Sequence, residues 1–131
     1  MSVEIRVDEI TMTVIGAVNG ALSFQDMDKY LDELNALTLS GATWIELLDL
    51  EGATSIDLGF AAIHQLRAKR LALPRNGPPV TVILAPTALS YGISRILQAL
   101  YENEGHTTEI ARDRVELAVQ MDALRHGRRH G

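Results

Sequence analysis

The beginning of the chain alternates between apolar and polar side chains, which predicts β-strands. Residues 3–7 show the period-two pattern of a half-buried strand. Residues 11–15 are rich in β-branched side chains and predict a second strand. The two runs are close enough to form an antiparallel hairpin. Gly16, followed by Asn19 and Gly20, predicts where the second strand ends.

Apolar residues at helical spacing predict a first helix over residues 24–37. Ser23 is a favourable N-cap, and Asp26 lies near the positive end of the helix dipole. Polar residues fill the opposite side of this helix, so it is predicted to be amphipathic. Its buried stripe would consist of Phe24, Met27, Leu31 and Leu34.

The central segment, residues 43–60, is an apolar strand that leads into a helix. Its residues 44–50 are apolar on both faces apart from Glu46 and Asp49, which favours an interior strand with parallel neighbours. Asp57 is predicted to be the N-cap from which the second helix starts. The buried stripe of that helix would consist of Phe60, Ile63 and Leu66, and Pro74 would end it.

The strand-then-helix step is then repeated. Residues 80–85 predict another interior strand, which Pro86 ends. Either Thr87 or Ser90 would cap a third helix. The core side of that helix would consist of Leu89, Ile93, Ile96, Leu97 and Leu100.

The last predicted elements are a short strand and a helix. Thr107–Ala111 has strand character, and Asp113 with Glu116 forms a capping pair at the start of the final helix. Residues 126–131 are polar and basic and are predicted to be a frayed tail. Residues 1–125 would then form a single domain, since domains of about 100–150 residues are the commonest.

The predicted order, β-β-α-β-α-β-α-β-α, indicates an α/β fold. Its five-stranded sheet would be mostly parallel, with an antiparallel N-terminal edge strand. Right-handed crossovers between consecutive parallel strands would place all the helices on one face. The apolar side chains on the other face would exceed the patch that soluble monomers usually expose. We therefore expect a homodimer to cover that face, unless one helix crosses to it.

Composition narrows the range of partners. The chain has 131 residues, a net charge of −5 and no cysteine. An acidic balance disfavours nucleic acid as a partner, and the lack of cysteine excludes disulfides and thiol ligands. The sequence contains neither a signal-peptide core nor a run of about 18 apolar residues that would span a membrane. We expect a cytoplasmic protein without a transmembrane segment.

The central segment resembles the STAS domains, which include the SpoIIAA-like anti-sigma-factor antagonists. In that family a buried strand with an Asp at its end runs into a helix that begins near a second Asp, as Asp49, Ala53, Ile56 and Asp57 do here. The element order over residues 1–125 matches the family as well. The resemblance implies a SpoIIAA-like fold and a regulatory, protein-binding role in a bacterial cytoplasm.

The later half resembles a divergent bacterial branch of STAS-like proteins. There a strand that ends in Ala-Pro leads into a helix with Gly and Arg, as in residues 85–97. Antagonist members carry two serines after the Asp, and a partner kinase phosphorylates the second. Gly59 occupies that position here, so the resemblance implies that the usual phosphoacceptor is missing. Thr54 and Ser55 are the nearby hydroxyls where phosphorylation would have to occur instead.

No catalytic or metal-binding pattern is present in the sequence. Asp57 is better explained as a helix cap than as a functional acid, and Asp49 as a structural carboxylate. Arg95 would bind an anionic group or pair with Glu102 on the surface. The four histidines lack the spacing of metal ligands; they are His64, His106, His126 and His130. We therefore predict no enzyme activity and no cofactor.

The starts of the second and third helices are predicted to lie on the same edge of the sheet, because they follow neighbouring parallel strands. Free N–H groups there can bind a partner's carboxylate, and Phe60 or Tyr91 would be an aromatic anchor. The predicted interaction surface consists of Ile56, Asp57, Leu58, Gly59, Phe60, Pro86, Thr87, Ser90, Tyr91 and Arg95. The function predicted first is therefore a non-enzymatic protein-interaction module. The alternative is a lipid- or small-molecule-binding module, with an apolar cavity beside Ile93, Leu97 and Tyr101.

Overall fold

The computed structural model describes residues 3–37, 44–72, 80–102 and 107–130. Within these ranges the strands and helices follow the predicted order. The strands are β1 (Val3–Asp8), β2 (Thr13–Ser23), β3 (Ile45–Asp57), β4 (Val80–Leu84) and β5 (Thr107–Ala111). The helices are α1 (Phe24–Ala36), α2 (Phe60–Ala72), α3 (Ala88–Glu102) and α4 (Arg114–His130).

The strands form one sheet in the order β1-β2-β3-β4-β5. The first pair is antiparallel and every later pair is parallel. The predicted α/β fold with an antiparallel N-terminal edge strand is therefore confirmed. Every residue of β4 is buried, as expected of an interior strand with helices on both sides.

Strands β2 and β3 extend much further than the sequence predicts. The predicted end of β2 at Gly16 to Gly20 and the predicted end of β3 at Leu50 are both wrong, because the two strands stay paired as far as Ser23 and Asp57. A Cβ at Gly16 would lie 2.6 Å from Cε1 of Tyr30 on α1. The glycine therefore makes room for a core side chain and does not break the strand.

The long β2–β3 ribbon contains two irregularities. The register shifts between Ala17 and Asn19 and again between Gly20 and Ala21. Gly20 has a φ of +83°, a conformation that glycine adopts without strain. Shifts of this kind are β-bulges, which bend a strand and increase its twist.

The path of α2 shows why the ribbon has to bend. A straight strand from Glu46 to Asp57 would be roughly 36 Å long. The following helix from Phe60 to Arg70 is only about 15 Å long. Arg70 nevertheless contacts Glu46 at 2.8 Å. The chain returns along most of β3 through the connection at residues 58–59 and this short helix, and a bend of the ribbon at the bulges shortens that path.

Helices α1, α2 and α3 cover one face of the sheet. Ser23 caps α1 as predicted: its hydroxyl accepts a bond from the Asp26 N–H (3.3 Å), and the Asp26 carboxylate accepts one from the Ser23 N–H (3.1 Å). The buried helix residues on this face include Tyr30, Leu31, Leu34, Ile63, Leu66 and Leu97. They pack on strand residues that include Val14, Leu48 and Ile83.

Helix α4 covers the other face, so the prediction that all helices share one face is wrong. Leu117 and Met121 of α4 pack in a second core cluster with Ile45, Leu47, Val82, Leu84 and Ala111. The crossover rule fixes only helices that connect two parallel strands, and α4 follows the last strand. The homodimer was predicted in order to cover this face, and that reason is now removed.

The final helix is also longer than predicted. It continues to His130, so the prediction of a frayed tail from residue 126 ended the helix too early. Gly127 lowers helix propensity but does not stop the helix. Among the helices in the described ranges, none is both long enough and apolar enough to cross a membrane.

Candidate functional site

The start of α2 differs from the prediction. The N–H of Ile63 donates to the Gly59 carbonyl at 3.0 Å, which makes Gly59 the N-cap position. Asp57 is still part of β3, paired with Ser23. The prediction that Asp57 caps α2 is therefore wrong, because a residue held in strand pairing precedes the turn into the helix. Its side chain is exposed.

The connection between β3 and α2 sends one side chain inward and one outward. Leu58 is buried in the core cluster beneath the helices, so it is inaccessible to a partner. Phe60 is 70% exposed. The prediction that Phe60 belongs to the buried stripe of α2 is therefore wrong, whereas Ile63 and Leu66 of that stripe are buried. The ring of Phe60 meets that of His64 edge-on, with 4.4 Å between the centroids. The chain therefore presents an aromatic ring on the surface at the first residue of α2.

Gly59 lies in open surroundings. A Cβ at this position would meet nothing within 4 Å. Close helix packing therefore does not require glycine here, and a serine would fit. The fold therefore does not require a glycine at the position where the resemblance to antagonist STAS domains implies a phosphoacceptor.

Helix α3 begins with a capping box formed by two hydroxyl residues. The N–H of Ser90 donates to Thr87 Oγ1 at 3.0 Å, and the N–H of Thr87 donates to Ser90 Oγ at 3.1 Å. Of the two predicted caps, Thr87 is thus the N-cap, and Ser90 completes the box. Ser90 is 1% exposed, so its role is structural. Both hydroxyls are engaged by the local backbone, which leaves neither arranged as a nucleophile.

Other side chains at the start of α3 remain accessible. Pro86 and Leu89 are exposed, Leu89 to 54%. Ile96 is also exposed, so the prediction that Leu89 and Ile96 lie on the core side of α3 is wrong. Tyr91 is half-buried and lies under the guanidinium of Arg112, which is 4.2 Å from the ring centroid. Arg95 is exposed and donates to Gln98 at 3.2 Å. The cation–π contact was missed because Arg112 lies on the connection after β5, far from Tyr91 in the sequence.

Arg114, the first residue of α4, ties that helix to β3. Its Nη2 contacts Asp49 Oδ2 at 3.3 Å and also contacts Glu51. Asp49 in addition accepts the Glu51 N–H at 2.9 Å. Asp49 is therefore the structural carboxylate that the sequence predicts, although its cationic partner was not foreseen.

A buried polar cluster lies on the face of the sheet that α1, α2 and α3 cover. Glu46 is 1% exposed and faces three elements. Tyr30 Oη donates to its Oε2 at 2.5 Å, whereas Arg70 Nη2 (2.8 Å) and Thr81 Oγ1 (2.6 Å) both donate to its Oε1. The sequence marked Glu46 only as a polar residue in an apolar strand, because its partners come from α1, α2 and β4.

The partners of Glu46 keep it ionised. Burial by itself raises the pKa of this carboxyl, but the charge of Arg70 and the hydrogen bonds from Arg70, Thr81 and Tyr30 outweigh burial and lower the pKa to about 2. With both carboxylate oxygens engaged, the group is neither a base near neutral pH nor open to a substrate. The Glu46 cluster is therefore structural: it joins α1, α2 and β4 to β3 through one buried carboxylate.

The remaining candidates do not converge on a reaction centre. In the described ranges, no group of three or more His, Asp or Glu side chains is arranged to hold a metal ion. Leu97, which was predicted to line a lipid cavity, is buried in the core cluster, and Ile93 packs against that cluster. The side chain of Tyr101, like those of His106 and Glu102, lies outside the described part of the chain. Ligand binding in such a cavity stays a prediction from the resemblance.

The starts of α2 and α3 are not level along the sheet. Pairing of β3 with β4 ends at Asp49 and Leu84, and β3 then runs on alone beside β2 to Asp57. Within the described residues, no hydrogen bond, ion pair or ring contact joins residues 56–60 to residues 86–95. The two helix starts are thus two separate patches, each with an exposed apolar side chain.

No known protein-family profile matches the sequence, and no curated protein does. Solved structures do match. The anti-sigma factor antagonist SpoIIAA in its unphosphorylated form superposes with a TM-score of 0.54 and 13% identity, covering 90% of this chain and 94% of that chain. A DUF3478-family protein from Shewanella loihica PV-4, described as having a SpoIIAA-like fold, gives a TM-score of 0.54 and 14% identity, covering 91% of each chain. Identities this low show the fold alone. The chain has the SpoIIAA-like fold that its resemblance to STAS domains predicted.

Proposed function

We propose that this chain is a non-enzymatic interaction module that docks a protein partner through the starts of α2 and α3. The observation that carries the proposal is the exposure of Phe60 (70%) and Leu89 (54%), one at each helix start. Fully burying such a side chain against a partner is worth about 1.5–3 kcal/mol. Each could serve as an anchor of the kind that contributes most of the binding energy in protein interfaces.

The charges around these side chains indicate the chemistry of the partner. Asp57 is exposed beside Phe60, and the exposed Arg95 and Arg112 flank the α3 start. A matching surface would have apolar pockets for Phe60 and Leu89. It would also have a basic group opposite Asp57 and acidic groups opposite the arginines. Such a mixed rim fits a folded protein better than nucleic acid, whose backbone is uniformly negative.

Two further observations support a binding module over an enzyme. The hydroxyls of Thr87 and Ser90 are held in a helix cap, and the buried Glu46 is held by three partners. The solved protein of the same fold is, by its name, an antagonist of an anti-sigma factor, so it acts on another protein. The resemblance to STAS domains also supports a bacterial cytoplasmic setting.

The module would work without the phosphate switch of the antagonist STAS domains. Gly59 has no hydroxyl, although the space around it would admit one. Thr54 and Ser55 are exposed but lie within β3, before the connection to α2. Docking would then be regulated by the abundance of the partner or of this chain, and not by phosphorylation at the family position.

Quantitative capture from the native cells tests the proposal. The baits are the wild type, a Phe60→Ser/Leu89→Ser variant, and a matched Val115→Ser/Val119→Ser control, which alters apolar side chains that are 76% and 65% exposed on α4. We expect one partner to be recovered with the wild type and the control and lost with the first variant. Equal recovery by all three baits, or recovery of no protein by any, would contradict the proposal.

A further inference from the structure

Strand β3 is much longer than the strand beside it. Its pairing with β4 ends at Asp49, where β4 ends at Leu84, whereas its pairing with β2 continues to Asp57. Residues 50–57 are therefore paired on one side only, and no described strand lies on the other. We call this free side the β3 edge. An edge of this kind presents unpaired N–H and C=O groups to another chain.

The middle of the β3 edge carries nothing that would block such pairing. Gly52, Thr54 and Ser55 are exposed and uncharged, with Glu51 and Asp57 only at the two ends. The outer strands of the sheet differ, because β1 carries Glu4 and Arg6 in its middle and β5 carries Glu109. Charged residues in the middle of an edge strand are a common device against pairing with other chains.

The charges at the ends of the β3 edge decide between two occupants. Full antiparallel overlap with a second copy would place Glu51 opposite Asp57 at both ends of the pair, and like charges directly opposite are destabilising. Within the described ranges, the ion pairs of these acidic residues are those that Arg114 makes with Asp49 and Glu51. The edge is therefore negative overall and favours a strand with Lys or Arg at its ends.

We propose that the β3 edge binds an extended, basic segment of a partner protein by strand addition. Backbone hydrogen bonds would supply the affinity, and the acidic ends would select the segment. The proposal rests on the docking function proposed above and names a second element of the same contact. Residues 50–57 lead directly into the α2 start, so a strand added there would end beside Phe60.

The test is amide hydrogen exchange on the full chain with a synthetic peptide of about seven residues. The peptide alternates Thr and Val and has Lys at both ends; a second peptide has Glu there instead. At about 1 mM of the Lys peptide, we expect exchange to slow at residues 51–57 and to stay unchanged in β1 and β5. At low salt the Lys peptide should bind roughly three-fold or more tightly than the Glu peptide. Asp57→Lys, which leaves the Glu51 end acidic and makes the other end basic, should abolish that preference.

Several results would overturn strand addition. They are no slowing at residues 51–57 with either peptide, equal binding of the two peptides, or slowing confined to β1 or β5. The peptide is too short to bury Phe60 and Leu89 as a docked protein would. Its binding therefore tests strand addition independently of the docking proposal. Strand addition can thus fail while Phe60-dependent capture succeeds. Conversely, the peptide can bind at residues 51–57 while capture of a partner fails.

Discussion

Glu46 is the residue whose environment is furthest from what its sequence neighbours suggest. A carboxylate in the middle of an apolar strand carries a desolvation cost of several kcal/mol. The fold offsets this cost with hydrogen bonds from Tyr30, Arg70 and Thr81. Removing any one of these donors leaves the others to hold a buried charge, so the cluster behaves as a unit.

The first prediction concerns acid stability. The folded pKa of Glu46, about 2, lies below the ordinary value of 4.5. Its contribution to stability is therefore fully present above the ordinary value and is lost as the pH falls through the folded one. We expect the wild type to exceed Glu46→Gln in free energy of unfolding, with the difference shrinking by about 3 kcal/mol between roughly pH 5 and pH 2. Denaturant titrations that give parallel pH profiles for the two proteins would contradict this.

Gly16 gives a second test at the residue scale. Its neighbour, the Tyr30 ring, cannot move aside easily because the Tyr30 hydroxyl is bonded to Glu46. We expect Gly16→Ala to lower the free energy of unfolding by about 1–3 kcal/mol through overpacking. Gly92→Ala is the matched control, since a Cβ there meets nothing within 4 Å, and in an exposed helix it should stabilise by up to about 1 kcal/mol. A Gly16→Ala variant as stable as the wild type, or more stable, would show that Tyr30 yields to the added methyl group.

At the scale of elements, the two helix starts of the proposed surface are built differently. Thr87 caps α3 through hydrogen bonds with Ser90, whereas Asp57 lies in β3 and caps nothing. We expect Thr87→Ala to cost about 1 kcal/mol of stability and Asp57→Ala to stay within about 0.5 kcal/mol. Thermal or denaturant unfolding of the two variants measures this. If Asp57→Ala lost as much stability as Thr87→Ala, or more, the result would support Asp57 as the cap of α2.

Element type could be predicted from the sequence because the periodic patterns are clear. The stripe of α1, the cap at Ser23 and the buried run of β4 are local signals, and each is confirmed. The ends of β2 and β3 could not be predicted, because glycines that usually break strands are here accommodated by Tyr30 and by bulges. Pairing between distant segments overrode the local signal.

The candidate site was predictable only where it depends on local sequence signals and not on contacts between distant segments. The position of Phe60 at the start of α2 could be inferred from the chain order. Its exposure could not, because its spacing with Ile63 and Leu66 predicts a buried stripe. The contacts of Arg112 with Tyr91 and of Arg114 with Asp49 could not, since each joins residues that only the fold brings together. The same holds for the partners of Glu46.

At the scale of the whole molecule, the division of the helices between the two faces changes the expected assembly. Leu117 and Met121 of α4 cover the central strands on the second face, so a second copy is not needed there. We expect the chain to sediment at micromolar concentration as a monomer of 14.4 kDa. A species of twice that mass would show that another surface, such as the exposed apolar pair Val115 and Val119, mediates self-association.

The central claim is that a protein partner docks on the starts of α2 and α3. Amide hydrogen exchange of the wild-type chain, alone and in complex with the captured partner, tests it most directly. We predict slower exchange at residues 56–63 and 86–93 in the complex, and unchanged exchange at residues 115–121 on α4. Protection confined to α4 or to β1, with the two helix starts exchanging as in the free chain, would contradict the proposed docking surface.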